Sequence, residues 1–253
     1  MLKVKTLPEY IKTVTEICKK WPHLQRGTTH SWFRGQSDET WSIIPGIYRG
    51  HTKPDYEREL VRDFRLRSTA YLSSLPSHDL ELLFVMQHHG MPTRLLDWTE
   101  SYMVALYFAV KEMENTNDAA VWILDPWSLN IFTLNFRSVP TIDLSELQTY
   151  VLKDSPQQIH RVVEAQWPVA IRPCHGTSRI VAQRGMFTLH GHEQSGIEAI
   201  KQIGLEKIII DGSQKRSILK ELYVAGVTHA TVFPDLDGLA REISFRYSKK
   251  YMS

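Results

Sequence analysis

Two short segments of this 253-residue chain bring together guanidinium, carboxylate, amide and indole groups, a set suited to holding and processing a phosphorylated ligand. The first is Phe33-Arg34-Gly35-Gln36. The Arg34 guanidinium offers a planar fork of donors that matches phosphate oxygens, Gly35 would let a diphosphate approach the backbone, and Gln36 stands beside them as a further ligand contact. A structural role for Arg34, pairing with Asp97 in the interior, stands next to that reading. The second segment is Pro92-Thr93-Arg94-Leu95-Leu96-Asp97-Trp98-Thr99. Arg94 and Asp97 either form a local ion pair or leave Asp97 to orient another arginine, and Thr93 shares the choice between site and scaffold. Trp98 offers a ring face to a nicotinamide or nucleobase, or packs as core beside the two leucines.

A third group lies later in the chain. Gln183 and Arg184 precede Gly185 in a turn that delivers Phe187 to a strand, where they contact ligand or satisfy the turn's own backbone. Arg179, one helical turn before Gln183, adds a second phosphate contact. Adjacent His88 and His89 point about 100° apart on a helix and cannot readily share one ion, and no HExxH pattern accompanies them, so no metal site is expected. His89 keeps a role as a hydrogen-bonding ligand contact because Gly90 allows close approach. Asp235 and Asp237 read as helix starters. The basic residues Lys215, Arg216 and Lys220, with Arg246, Lys249 and Lys250, read as a solvated face.

Positioning these groups falls to a mixture of helices and strands. Helical spacing predicts helices at about Pro8–Trp21, Asp55–Leu72, Ser77–His89 (Ser77 as N-cap, Gly90 as stop), Glu100–Glu114, Leu144–Leu152, Ser213–Ala225 and Asp235–Tyr251. On the last, Leu236, Leu239, Ala240, Ile243, Tyr247 and Tyr251 share one face. Strands are predicted at Ser31–Gly35, Trp41–Ile44, Ala119–Leu124, Val169–Ile171, Met186–Leu189 and Lys207–Ile210. No repeat or linker divides the chain, so the pattern predicts one α+β domain.

Composition narrows the classes. Aliphatic and aromatic residues form 42% of the chain and charged residues 23%, which are the proportions of a chain able to fold around a core. A formal charge of +2 gives no broad field for nucleic acid or anionic lipid. No apolar run is long enough to span a membrane, and the first residues lack a signal-peptide core, so a cytoplasmic protein without membrane partners is expected. Cys18 and Cys174 lie far apart without a paired motif and read as reduced thiols.

Five blocks stand in order: Trp32 through Gln36; Trp41 through Pro45 with Arg49; Gln87 through Thr99, continuing into Ala105-Leu106-Tyr107-Phe108-Ala109; Gln183 through Thr188; and Phe233 through Gly238. Together they resemble the FRG-domain family, named for its Phe-Arg-Gly tripeptide. The resemblance implies one FRG domain over 1–253, with a helical cover at 1–30, a motif-bearing core at 31–240 and a C-terminal helix at 235–251. It also implies a role in bacterial or phage conflict, that is, anti-phage defence. The block order is similar, more distantly, to the ADP-ribosyltransferase superfamily. That similarity implies a mixed or split antiparallel sheet flanked by helices, NAD as substrate, and a protein or nucleic-acid target. It makes Arg34 the early-strand NAD contact, Leu96 to Ala109 a strand leading into a helix, and Gln183 to Phe187 the late strand. Where that superfamily has a catalytic glutamate this chain has Gln183, which carries no negative charge and accepts no proton. Asp97 and Gln183 are therefore the candidates beside the reacting ribose. The alternative is a non-catalytic recognition domain for a nucleotide, nucleic acid or protein in the same polar cleft.

Overall fold

Runs rich in β-branched and aromatic residues, bounded by turns, favour strands. The computed structural model describes residues 2–21, 23, 30–50, 56–72, 74–76, 78–143, 145–151, 163–173 and 177–248, and seven such runs pair there into one open sheet. They are β1 (Leu2–Val4), β2 (Trp32–Gln36), β3 (Leu95–Thr99), β4 (Ala119–Leu124), β5 (Val169–Ile171), β6 (Gly185–Leu189) and β7 (Leu205–Ile210), in spatial order β1-β7-β4-β2-β3-β6-β5. β1 runs parallel to β7 and the remaining pairs are antiparallel, which makes the molecule a single α+β domain on a mixed sheet.

The described helices are α1 (Leu7–Cys18), α2 (Glu57–Ser68), α3 (Asp79–His88), α4 (Tyr102–Val110), α5 (Pro126–Leu134), α6 (Ser178–Gln183), α7 (Lys215–Val224), α8 (His229–Val232) and α9 (Leu236–Arg246). Their starts follow local chemistry. The Thr6, Ser101, Asp125, Thr177 and Asp235 side chains accept amide hydrogens at the N-termini of α1, α4, α5, α6 and α9. Gly90, at φ +81°, turns the chain out of α3 in a conformation suited to glycine. No described helix is long and apolar enough to cross a membrane.

Alternation along the strands assigns residues to faces. Phe33 opposes Thr99, so both lie on one face. Over β2, β4 and β7 that face carries Phe33, Val121, Ile123, Ile208 and Ile210 beneath α1, α4 and α7. Over β3, β6 and β5 it carries Leu95, Phe187, Leu189, Val169 and Ile171 against α2 and α3. On the other face Trp32, Leu96, Trp98, Leu124 and Met186 pack with Leu129 of α5 and with Ile43 and Ile197. Burying a side chain such as Phe33 contributes roughly 1.5–3 kcal/mol. The first face is thus covered by two separate groups of helices, and the boundary between them lies over β2 and β3.

Several expectations are corrected. Trp41–Ile44 is not a strand, because the Ile43 amide donates to the Glu198 carboxylate (3.1 Å) rather than to a neighbouring strand. Pro126 both ends β4 and opens α5 with Asp125 as its cap, a helix the sequence reading omitted. β1, α6 and α8 are likewise absent from the sequence-based expectations. The 144–152 helix is a 3-10 turn over Ser145–Tyr150. On α9 the apolar stripe faces outward, with Leu236 83% and Tyr247 79% exposed. The inner side carries Phe245, whose ring centroid lies 5.0 Å from that of Tyr223, and a polar anchor: Glu242 accepts from Ala230 N (3.0 Å), from the Thr228 hydroxyl and from Arg246 Nη2 (2.7 Å), holding the start of α8. Ser77, Lys249, Lys250, Tyr251 and Cys174 lie outside the described residues, and His78 caps α3 by accepting from Leu80 N (3.3 Å).

Candidate functional site

β2 forms five consecutive pairs with β4, and β3 forms five with β6, but β2 and β3 meet only at Phe33 and Thr99. Beyond that point they part, and a backbone carbonyl there must find another donor. Arg34 supplies it: Nη1 donates to the Asp97 carbonyl at 2.7 Å. Arg34 Nε is buried with no hydrogen-bond partner among the described residues. Burial, with a smaller push from Arg49 and an opposing pull from Asp97, lowers the Arg34 pKa to about 10, so it remains charged at neutral pH.

Each residue of Phe33-Arg34-Gly35 has a different task. Phe33 enters the core and Arg34 bridges the parted strands. Gly35 faces α4, where a Cβ would lie 1.9 Å from the Ala105 carbonyl oxygen and 2.7 Å from Ala109 N. The expected role of Gly35 in admitting a diphosphate is therefore replaced by close helix packing. Gln36 lines a cavity but its amide is committed, with Nε2 donating to Ser42 O (3.2 Å) and Oε1 accepting from Trp122 Nε1 (2.8 Å).

Arg34 is brought together with Asp97, Gln183, Arg179, Trp98 and Phe108 around a chamber of about 190 Å³. Asp97 projects from the first face; its Oδ2 accepts from Gln87 Nε2 (2.8 Å), and Oδ1 has no partner among the described residues. Gln87 is held in turn, its Oε1 accepting from the Thr93 hydroxyl (2.7 Å). Arg179 and Gln183 are four apart on α6 and share its face. The Arg179 guanidinium sits 4.8 Å from the Phe233 ring centroid, and Gln183 Nε2 donates to Val232 O (3.1 Å). The chamber thus presents two guanidinium groups, one carboxylate and one amide. A smaller hollow of about 40 Å³ continues it toward His88 and Phe187.

Two further cavities share Arg34: one of about 610 Å³ reaching Trp41, Arg49 and Glu112, and one of about 410 Å³ reaching Arg49, Gln87 and Pro92. In the sequence Trp41, Arg49, Gln87 and Phe108 stand within the FRG-like blocks, and Trp41 also opens an expected strand, but none is singled out as a ligand contact. Glu112 carried no signal beyond its type.

Other expected site residues are placed elsewhere. Arg94 is 1% exposed and pairs through Nε with Glu57 Oε2 (2.7 Å), while Nη2 donates to the Tyr150 carbonyl. It lines none of these cavities and is a core ion pair, neither a phosphate contact nor a partner of Asp97. Thr93 is fully buried and serves by holding Gln87. Trp98 is 3% exposed, with Nε1 donating to Thr188 Oγ1 (3.1 Å), so it forms the chamber wall and offers no open stacking face. Phe187 is buried edge-on against Phe84. His89 is exposed outside the cavities, its ring against His88. Arg184 caps α6 at φ 46° and reaches Glu100 at 3.4 Å, also outside them. Among the described residues no group of three or more His, Cys, Asp or Glu could hold a metal ion.

Behind the chamber, Trp98 and His190 share the Thr188 hydroxyl, with His190 Nε2 3.1 Å away. Burial first, and then Arg34 and Arg94, push His190 down to about 3, so it is neutral under ordinary conditions.

No curated protein and no solved structure matches the chain. Residues 29–118 match the FRG domain model, a span that contains β2, the parted edge of β3 and the Gln87-to-Asp97 connection. The chain therefore carries an FRG domain, and Arg34 of its name-giving tripeptide stands at the meeting of its cavities.

Proposed function

We propose that this FRG-domain protein binds a nucleotide of the NAD type in the cleft at Arg34 and cleaves or transfers at its ribosyl bond. The observation that carries the reading is Arg34 standing where the 610, 190 and 410 Å³ cavities adjoin, with Asp97 and Gln183 in the smallest of the three. A charged fork between hollows is suited to a diphosphate with a nucleoside on either side.

In the proposed reaction the bond between ribose C1′ and the nicotinamide nitrogen breaks, and nicotinamide leaves with the bonding electrons. The Asp97 carboxylate, steadied by Gln87, faces the cationic ribosyl centre and takes the proton from the incoming water or acceptor hydroxyl. Gln183 orients a ribose hydroxyl through its amide oxygen. NAD consumption or target modification is the form in which such a domain would act in bacterial or phage conflict.

Gln183, in place of an acidic residue, favours a second reading in which the cleft recognises a nucleotide without turnover. Incubating the purified protein with NAD and measuring released nicotinamide separates the two. Release that Asp97→Asn abolishes supports the enzyme; saturable NAD binding without release leaves recognition; absence of binding overturns both.

A further inference from the structure

We infer that the 610 Å³ cavity receives the purine-bearing half of the ligand, with Trp41 as stacking platform and Arg49 joining Arg34 on the diphosphate. This inference rests on the nucleotide reading above and assigns its larger subsite. Small-molecule sites commonly span roughly 300–1,000 Å³. The 610 Å³ cavity lies in that range, whereas the 190 Å³ chamber beside Asp97 is suited to the reacting end alone.

Trp41 is 49% exposed, and no ring or cation packs on it among the described residues. Its loop is nonetheless fixed: Trp41 N donates to Asp38 O (3.4 Å), and the Asp38 carboxylate is held by Thr40 Oγ1 (2.6 Å) and Asn117 Nδ2 (2.7 Å). A large aromatic face on an anchored loop stacks a base with little ordering cost, and its fused rings overlap best with a bicyclic base.

Charge gives the cavity a direction. Arg49 donates through Nε and Nη2 to Ile44 O (3.2 and 3.1 Å), which aims its guanidinium, and it lines the 610 and 410 Å³ cavities as Arg34 does. The two cations repel, Arg49 being among the groups that lower the Arg34 pKa, and a bound dianion would relieve that repulsion. Elsewhere in the lining, Glu112 accepts from Ser37 Oγ (2.8 Å) and lies 3.8 Å from Lys111 Nζ. A carboxylate disfavours phosphate but accepts from ribose hydroxyls or an exocyclic amine. The phosphates therefore sit at Arg34 and Arg49, and the nucleoside extends toward Trp41 and Glu112.

The test titrates the full chain with ADP and with nicotinamide mononucleotide, by calorimetry and by tryptophan fluorescence. Trp41→Ala should weaken ADP about tenfold or more while changing nicotinamide mononucleotide less than about twofold, and Trp41→Phe should retain most of the ADP affinity. Quenching by ADP should vanish in Trp41→Phe, and Arg49→Ala should weaken ADP and flatten its salt dependence. Unchanged ADP affinity in Trp41→Ala, or equal losses for both probes, overturns the assignment. A wild-type protein that binds ADP, nicotinamide mononucleotide and NAD not at all overturns the nucleotide reading itself.

Discussion

Arg34 Nη1 donates to the Asp97 backbone carbonyl at 2.7 Å, across the place where β2 and β3 stop pairing. This one contact joins scaffold and site: the guanidinium completes the hydrogen bonding of a strand edge and, from the same position, faces three adjoining cavities. Arg34→Lys keeps the charge but loses the planar fork, so NAD affinity should fall about tenfold or more. Loss of the strand contact should cost about 1 kcal/mol in denaturant unfolding. Wild-type affinity in Arg34→Lys would remove the guanidinium from the site.

Arg94 and Glu57 separate scaffold from site. Both side chains are 1% exposed, so Arg94→Met, which leaves the Glu57 charge buried, should destabilise the fold by about 3–5 kcal/mol. The double variant Arg94→Met with Glu57→Leu should recover much of that loss. At a temperature where the double variant is folded, its nucleotide affinity should equal wild type; a large loss would return Arg94 to the site.

Gly35→Ala tests helix packing. The added methyl would meet the Ala105 carbonyl at 1.9 Å, and α4 would have to move away from β2. Overpacking of this kind costs about 1–3 kcal/mol or more, to be seen as a lower chemical-denaturation midpoint. Unaltered stability would show that α4 does not constrain this position.

Asp97→Asn preserves shape and removes the proposed base. Nicotinamide release should fall by about 10²–10⁴-fold while NAD binding changes little. Gln87→Ala, which frees the Asp97 carboxylate without removing it, should reduce release by less. Equal activity in Asp97→Asn and wild type would exclude Asp97 as the base.

His190 predicts a pH dependence. Its native pKa is pushed down to about 3 by burial, while in the unfolded chain it titrates near 6.5. Below about pH 6.5 the unfolded state binds a proton that the native state refuses, so this contribution to stability is full above that pH and is lost as pH falls toward 3, at about 1.4 kcal/mol per pH unit. Relative to wild type, His190→Gln should unfold with a shallower loss of stability between pH 6 and 4. Parallel pH profiles would show that His190 does not carry the effect.

Periodicity and turn chemistry placed most of the framework. The strand at Ala119–Leu124, the helix stop at Gly90 and the α+β class were legible because they depend on neighbouring residues. The outward direction of the α9 stripe was not legible, because spacing identifies an apolar face without saying which side is covered, and Glu242 holding α8 sets the opposite side inward.

By itself the sequence determined that Arg34, Asp97, Gln183 and Arg179 are polar groups of types suited to a nucleotide, and it placed Arg34 on a strand. Only the tertiary structure decided which of them meet. Arg94 resembles Arg34 in type, yet it stands in the bend just before β3 and is claimed by Glu57 at the start of α2, while Arg34 stands where two strands part. A guanidinium's role depends on which carboxylate or carbonyl lies within about 3 Å, a distance set by sheet register and helix packing and not by spacing along the chain.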